Sequence, residues 1–202
     1  MIQRISISEL TSSTDKIEKF DLLMKNGRIA IIPTDTVYGF AASLARPDAC
    51  ENIFKIKGRS HQKPLILFVS DFSDLEKLGF LLDDETSRLI KKYWPGPLTA
   101  VLKKPDNRFF SEFPYTTIGV RMPAHKHLLR LLQGVDSYLL TTSANRSGAD
   151  LIQTPDELAE EFSTEADLLV EDGRLGDLSP STVADFTQSP PKILRIGPIT
   201  CL

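Results

Sequence analysis

The stretch I-I-P-T-D-T-V-Y-G, residues 31–39, decides the fold class, because an apolar strand ends there in a short polar turn. Residues 28–32 are predicted to form that strand, and residues 37–42 to form a second extended segment. Two hydroxyls and a carboxylate, at residues 34–36, lie between them. Ligands collect at strand ends in open α/β sheets. The turn is therefore a candidate binding site, although polar residues are also common in ordinary turns.

Helical and strand patterns alternate along the rest of the chain. Apolar residues recur at helical spacing over residues 14–26, 47–57, 72–78, 83–93, 124–133 and 155–162. Strands are predicted at residues 5–8, 65–69, 98–102, 117–122 and 138–142, and near residues 168, 183 and 193. This alternation predicts one α/β domain over residues 1–202, with a twisted mixed sheet flanked by helices.

Composition and length are typical of a globular cytoplasmic protein. Of the 202 residues, 41% are apolar and 25% are charged. No apolar run reaches the ~20 residues that a membrane helix needs, and no secretion signal is predicted. Two cysteines are too few for a disulfide framework, which favours a reducing cytosol.

Charge is strongly segregated along the chain. Residues 113–135 contain two arginines, one lysine and two histidines but no acid, whereas residues 150–177 contain ten acids and one arginine. The net charge of −3 and a pI of about 5.7 argue against a general nucleic-acid-binding surface. Segregation of this kind favours a local anion site.

A cationic loop at residues 55–64 is the second functional stretch. It has four fixed positive charges and no acid, between a predicted helix and a predicted strand. Lys57 and Arg59 lie on either side of Gly58, which should end the helix, so both side chains could reach one phosphate group. Lys55 and Lys63 are interpreted as surface charges. We expect truncation of Lys57 or Arg59 to abolish activity with little loss of stability.

Arg121 and Asp35 are charged residues in apolar or tightly turned surroundings. Arg121 lies within a predicted strand and needs a partner, either a protein acid or a ligand carboxylate, and the residues alone do not decide between them. Asp35 could coordinate Mg²⁺ or cap the next element, and capping is the default expectation.

Other types of catalytic site have little support in the sequence. The three histidines lack the spacing of a zinc site, so no protein-bound metal is predicted. There is no Walker loop, Rossmann fingerprint or nucleophile elbow. Polar residues do follow a further predicted strand, at residues 143–145, and hydroxyl residues 181–182 follow the turn at residues 178–180. Together with the first turn, they predict a common cleft.

Five ordered segments carry a recognisable resemblance: residues 33–39, 57–59, 143–145, 180–183 and 195–197. They are similar to the motif series of the YrdC/TsaC family, the L-threonylcarbamoyladenylate synthases of tRNA N6-threonylcarbamoyladenosine biosynthesis. The similarity extends over about residues 5–199, and the chain resembles the short bacterial form that lacks an extra C-terminal domain.

The resemblance implies a twisted α/β fold with a deep, basic, concave site. It implies that L-threonine, bicarbonate or CO2, and ATP react to give threonylcarbamoyl-AMP and pyrophosphate. The threonine-binding residues would be Thr34, Arg121, Thr141 and Ser181. The ATP-binding residues would be Lys57, Arg59, Thr117, Ser143, Asn145 and Arg195, with Lys57 and Arg59 also catalytic. The threonine carboxylate would then be the partner of Arg121, and Mg²⁺ would arrive with ATP.

The resemblance also implies a downstream partner, the tRNA threonylcarbamoyl transferase complex that receives the labile product. Two alternatives to the enzyme remain: an RNA-binding module, and a paralogue with a different nucleotide-dependent reaction. Residues 176–178 are less glycine-rich than in many family members, which puts the presentation of Ser181 in question.

Overall fold

The computed structural model describes residues 2–175 and 179–202, so the glycine-poor segment 176–178 lies outside the described residues. Within the described ranges, ten strands form one sheet in the order β1-β8-β2-β3-β7-β4-β6-β5-β9-β10. The strands are β1 Gln3–Ser6, β2 Ala30–Ile32, β3 Gly39–Ser43, β4 Ile66–Phe68, β5 Leu98–Lys103, β6 Thr117–Arg121, β7 Leu139–Ser143, β8 Leu168–Glu171, β9 Thr182–Asp185 and β10 Lys192–Arg195.

Seven helices of the described residues flank this sheet. They are α1 Ile7–Leu10, α2 Thr14–Lys25, α3 Pro47–Lys57, α4 Ser73–Lys77, α5 Asp84–Tyr93, α6 Lys126–Gly134 and α7 Pro155–Glu161. The sheet is mixed: β2, β3, β7 and β4 are successive antiparallel neighbours, whereas β4 pairs with β6 and β5 pairs with β9 in parallel. The predicted α/β fold with a mixed sheet is therefore confirmed.

The central strands are buried on both faces, which explains their almost continuous apolar sequence. Ile31 belongs to a core shared with α3, α5 and α7, whereas Ala30 and Ile32 belong to a second core shared with α1, α2 and α6. Side chains alternate between the faces of a strand, so three consecutive apolar residues supply two cores.

The first predicted strand is partly wrong. Residues 5–8 were expected to be extended, but β1 ends at Ser6 and α1 begins at Ile7. The hydroxyl of Ser6 accepts a hydrogen bond from the backbone N–H of Glu9 at 3.1 Å, which is an N-cap. Burial of Ile7 and Leu10 on one side of the short helix then outweighs the alternating pattern.

Some acids of the acid-rich segment pair with arginines outside it. Arg146 pairs with Glu161 at 2.8 Å and Glu165 at 2.9 Å, and Arg4 pairs with Asp156 at 2.6 Å. Two arginines therefore compensate part of the charge of this segment. In the described part of the chain, no helix is long and apolar enough to cross a membrane.

Candidate functional site

A cavity of about 70 Å³ lies where β3 begins and β7 ends, beside the turn that follows β2. Gly39 and Ser143 are paired at this end of the two strands. Seven of the ten predicted site residues line the cavity: Thr34, Arg59, Arg121, Thr141, Ser143, Ser181 and Arg195. Among the described residues, no carboxylate lines it. The structure thus brings predicted threonine-binding residues and predicted ATP-binding residues together at one cavity.

The hydroxyl of Thr34 shapes the turn. Its Oγ1 donates to the carbonyl of Val37 at 2.7 Å and accepts from the N–H groups of Thr36 at 3.0 Å and Val37 at 3.1 Å. One donor and two acceptor positions are therefore used within the turn itself. Thr34 lines the cavity, but its hydroxyl already makes all of its hydrogen bonds within the turn.

Arg121 has a protein acid as its partner. The resemblance implied instead that the carboxylate of threonine would be that partner. Its Nη2 donates to Asp35 Oδ1 at 2.6 Å and its Nη1 to Thr36 Oγ1 at 2.8 Å. Its Nε donates to the carbonyl of Gly96 at 3.1 Å. The expectation that Asp35 is a cap was also wrong, because its carboxylate neutralises Arg121 instead. Burial lowers the pKa of Arg121, and Asp35 opposes that shift.

The guanidinium retains donor capacity despite these contacts. An arginine has five N–H groups, and the three contacts to Asp35, Thr36 and Gly96 use three of them. Two N–H groups therefore remain without a partner in these three contacts, and Arg121 is among the residues that line the cavity.

Arg195 and Ser181 form one unit. Arg195 donates from Nη2 to the carbonyl of Ser181 at 2.8 Å and to its Oγ at 3.2 Å. The hydroxyl of Ser181 also lies 2.8 Å from that of Thr99. A Cβ at Gly197 would lie 2.4 Å from the carbonyl oxygen of Pro180, so only glycine allows this close approach. Arg195, a predicted ATP-binding residue, thus holds Ser181, a predicted threonine-binding residue, in place.

The three arginines that line the cavity repel one another. Burial is the main cause that lowers the pKa of Arg195, and the nearby charges of Arg121 and Arg59 lower it further. Arg59 donates to the carbonyls of Lys63 at 2.8 Å and Pro64 at 3.3 Å and to Thr142 Oγ1 at 3.3 Å. Asp35 is the acid bonded to this group of three arginines, and it offsets one of the three positive charges. The arrangement therefore favours an anionic ligand.

Lys57 and Asn145 lie behind the cavity wall and are not among the residues that line it. The ammonium of Lys57 donates to the carbonyls of Ser143 at 2.5 Å and Asn145 at 2.7 Å, and to Asn145 Oδ1 at 2.9 Å. Burial, followed by the charge of Arg59, lowers the pKa of Lys57 to about 8. The side chains of Lys57 and Arg59 therefore do not converge on one point in this structure.

Thr117 also lies outside the cavity lining. It begins β6, where it pairs with Lys103 of β5, and it is half-buried. Thr141 lines the cavity, and its hydroxyl donates to the carbonyl of Ile66 at 3.2 Å.

Sequence reasoning left out two hydroxyl residues of the site, Thr99 and Thr142, whereas Thr36 belongs to the turn that was predicted as a candidate binding site. Thr142 lines the cavity, as Thr36 does, and Thr99 supports Ser181 from the adjacent strand. Thr99 and Thr142 are both less than 9% exposed. Threonines inside apolar strand patterns were the available signal, since a buried hydroxyl needs a partner.

The described residues include no group of three or more His, Cys, Asp and Glu side chains that could hold a metal ion. The carboxylate of Asp35, next to the cavity-lining Thr34 and Thr36, is bonded to Arg121.

The family relationship follows from comparison with known proteins. A family model named Sua5/YciO/YrdC, described as telomere recombination, matches residues 22–197. The chain belongs to this family. The predicted family resemblance is thus confirmed, and the matched range includes every predicted site residue.

One sequence relative and two solved structures illustrate the similarity. A threonylcarbamoyl-AMP synthase of Pyrococcus abyssi is 35% identical over 176 residues, which are 86% of this chain and 52% of that protein. The crystal structure of P. abyssi Sua5 complexed with L-threonine superposes with a TM-score of 0.84, at 33% identity, over 98% of this chain and 57% of that chain. The structure of Escherichia coli YciO gives a TM-score of 0.86, at 26% identity, over 98% of this chain and 96% of that chain. This chain spans about half the length of the P. abyssi proteins.

Proposed function

We propose that this chain is a cytoplasmic threonylcarbamoyl-AMP synthase that acts in tRNA N6-threonylcarbamoyladenosine biosynthesis. Its substrates would be L-threonine, bicarbonate or CO2, and ATP, and its products threonylcarbamoyl-AMP and pyrophosphate. The observation that supports this best is the convergence of Arg59, Arg121 and Arg195 with hydroxyl side chains on one cavity without a lining carboxylate. The similarity to a threonine-bound relative supports the identity of the amino acid.

The amino-acid side of the cavity would be formed by Arg121, Thr141 and Ser181. The two remaining donors of Arg121 would bind the threonine carboxylate, so this guanidinium would serve Asp35 and the substrate together. Thr34 would contribute mainly by fixing the turn that carries Thr36.

The nucleotide side would be formed by Arg59, Arg195 and Ser143. Two guanidiniums can neutralise the negative charge that spreads over phosphate oxygens during transfer. Magnesium would enter bound to ATP, as part of that substrate.

The reaction needs no protein nucleophile. The ammonium of threonine gives one proton to solvent, and the neutral amine then adds to CO2 and releases a second proton to solvent, which leaves a carbamate anion. An oxygen of the carbamate attacks the α-phosphorus, and the bond from phosphorus to the bridging oxygen breaks as pyrophosphate leaves. The protein would position the two substrates, neutralise charge and keep water from the labile carbamate. The threonylcarbamoyl transferase complex would then receive the product.

The test is threonine-dependent release of pyrophosphate from ATP, Mg²⁺ and bicarbonate. Omission of threonine should abolish the release. Arg59→Met should lower the rate at least tenfold, about the cost of one lost electrostatic contact in the transition state. Lys63→Met is the matched control, because this exposed lysine of the same loop lends Arg59 only its backbone carbonyl. A folded wild-type chain that releases no pyrophosphate with threonine would disprove the proposal.

A second candidate is a family member with a different nucleotide-dependent reaction. The match to YciO favours it, because that match covers 96% of the YciO chain, whereas the P. abyssi synthase is matched over 52% of its length. Pyrophosphate release with another amine in place of threonine, but not with threonine, would identify this case.

A further inference from the structure

We infer that Lys57 acts on the nucleotide indirectly, as a positioning residue that holds residues 143–145 in the conformation that presents Ser143 to the cavity. This inference rests on the proposed function only in taking ATP as the ligand. It differs from the direct phosphate contact that the sequence suggests for Lys57.

The hydrogen-bond capacity of Lys57 is the first argument. An ammonium group has three N–H donors and no acceptor. Three oxygens within 2.9 Å, two from Asn145 and one from Ser143, match those donors. The residue is 3% exposed and does not line the cavity. No donor therefore remains for a phosphate oxygen.

The orientation of Ser143 depends on the same group of contacts. Its Oγ donates to Asn145 Oδ1 at 2.8 Å, and that oxygen also accepts from Lys57. The amide nitrogen of Asn145 donates to the carbonyl of Ala149 at 2.6 Å. Asn145 is thus fixed at both ends of its amide, and its oxygen connects the lysine to the cavity-lining serine.

The end of α3 is bonded to the same loop in the opposite direction. The carbonyl of Lys57 accepts from the N–H of Ser147 at 2.8 Å, and the carbonyl of Ile56 accepts from Arg146 Nη1 at 2.6 Å. The last carbonyls of a helix lack partners within the helix, so these contacts complete them. Helix α3 and the loop after β7 therefore form one hydrogen-bonded unit.

The ammonium of Lys57 has only neutral oxygens as hydrogen-bond partners. The side chain of Arg59, two residues further on, lies on the cavity side of this unit and adds a second positive charge. The contacts of Lys57 orient Ser143, which belongs to the proposed nucleotide side of the cavity. The indirect role therefore predicts an effect on ATP binding and little effect on threonine binding.

The test measures dissociation constants for MgATP and for threonine by titration calorimetry, together with melting temperatures. Lys57→Met and Asn145→Ala should each weaken MgATP binding about tenfold, and the double variant should be no weaker than the weaker single variant. Threonine binding should change less than about twofold, whereas general loss of structure would weaken both ligands. Lys55→Met, on the exposed side of the same helix, is the matched control.

Two further variants separate the indirect role from direct contact. Lys57→Arg keeps the charge but replaces three tetrahedral donors with a planar fork, so it should weaken MgATP binding too. The effects of Lys57→Met and Arg59→Met should multiply, because only Arg59 faces the cavity. Lys57→Arg is also the variant to use if Lys57→Met does not fold.

The inference is overturned by unchanged MgATP binding in Lys57→Met, by full binding in Lys57→Arg, or by multiplying effects of Lys57→Met and Asn145→Ala. A wild-type chain that does not bind MgATP also overturns it. A chain that shows the expected couplings but releases no pyrophosphate disproves the proposed function alone.

Discussion

Two buried cations at the site are neutralised in different ways. Arg121 and Lys57 are each 3% exposed. Arg121 is bonded to the carboxylate of Asp35, whereas Lys57 is bonded only to neutral oxygens: two backbone carbonyls, the Asn145 amide and, at 3.5 Å, the Ser143 hydroxyl. The first cation has a counter-charge within the protein, and the second has only dipoles.

This difference separates a fixed part of the fold from a charge that can respond to a ligand. The ion pair of Arg121 and Asp35 is complete without substrate. Lys57 has a pKa of about 8, so its protonation near neutral pH depends on surrounding charge. A bound polyanion would raise the pKa of Lys57, while it would change the charge of the ion pair little.

Removal of the acid from the ion pair should have the largest effect on stability. Asp35→Asn leaves Arg121 charged and buried without a counter-ion, and we expect a loss of about 3 kcal/mol in the free energy of unfolding. Urea denaturation measures this directly. A loss as small as that of an exposed ion pair would show that Arg121 is solvated or differently paired in solution.

The double variant Asp35→Asn with Arg121→Met sharpens the same comparison. It removes both charges, so it should be more stable than Asp35→Asn alone, by about 1 kcal/mol or more. Equal or lower stability of the double variant would mean that the contacts of Arg121 to Thr36 and Gly96 outweigh the ion pair.

The pH dependence of stability tests the environment of Lys57. The pKa of Lys57 is about 8 in the folded chain, whereas its ordinary value, which we take for the unfolded chain, is 10.5. Between these two pH values, the unfolded chain therefore binds more protons than the folded chain. The free energy of unfolding of the wild type, relative to Lys57→Met, should therefore rise by about 2 kcal/mol from pH 7.5 to pH 10. A difference that stays constant or falls over this range would contradict the burial of a neutralisable amine.

An exposed ion pair should show the smallest effect. Asp48 is bonded to Arg46 at 2.7 Å, and its side chain is 62% exposed. Asp48→Asn should cost less than about 1 kcal/mol, because water and salt screen such pairs. A cost similar to that of Asp35→Asn would remove burial as the explanation for the difference.

Local structure around the cationic loop was predictable from sequence. Pro47 at the start of α3 and Gly58 after its end were expected, and Gly58 has a φ of 60°, in the left-handed region. Proline and glycine act through their own backbone geometry, so neighbours in sequence suffice to place them. The first strand was mispredicted because the burial of Ile7 and Leu10 depends on contacts with α6, far along the chain.

The partners of the two buried cations were not predictable. Asp35 and Arg121 are 86 positions apart, and so are Lys57 and Ser143. The residue pattern placed Arg121 in a strand and Lys57 at a helix end, and left open whether a protein acid or a ligand neutralised Arg121. Only the tertiary structure decides that question: β3, β7 and β4 lie between β2 and β6 in the sheet, and the turn after β2 nevertheless brings Asp35 to Arg121.

The sequence by itself determined most element types, the family motifs and the concentration of hydroxyls and cations at strand ends. These features depend on residue chemistry and short-range periodicity. The tertiary structure alone decided which cations face the cavity, because side-chain direction and hydrogen-bond partners depend on strand register and on segments distant in sequence. Arg59 consequently faces the cavity, and Lys57, two residues earlier, faces the loop behind it.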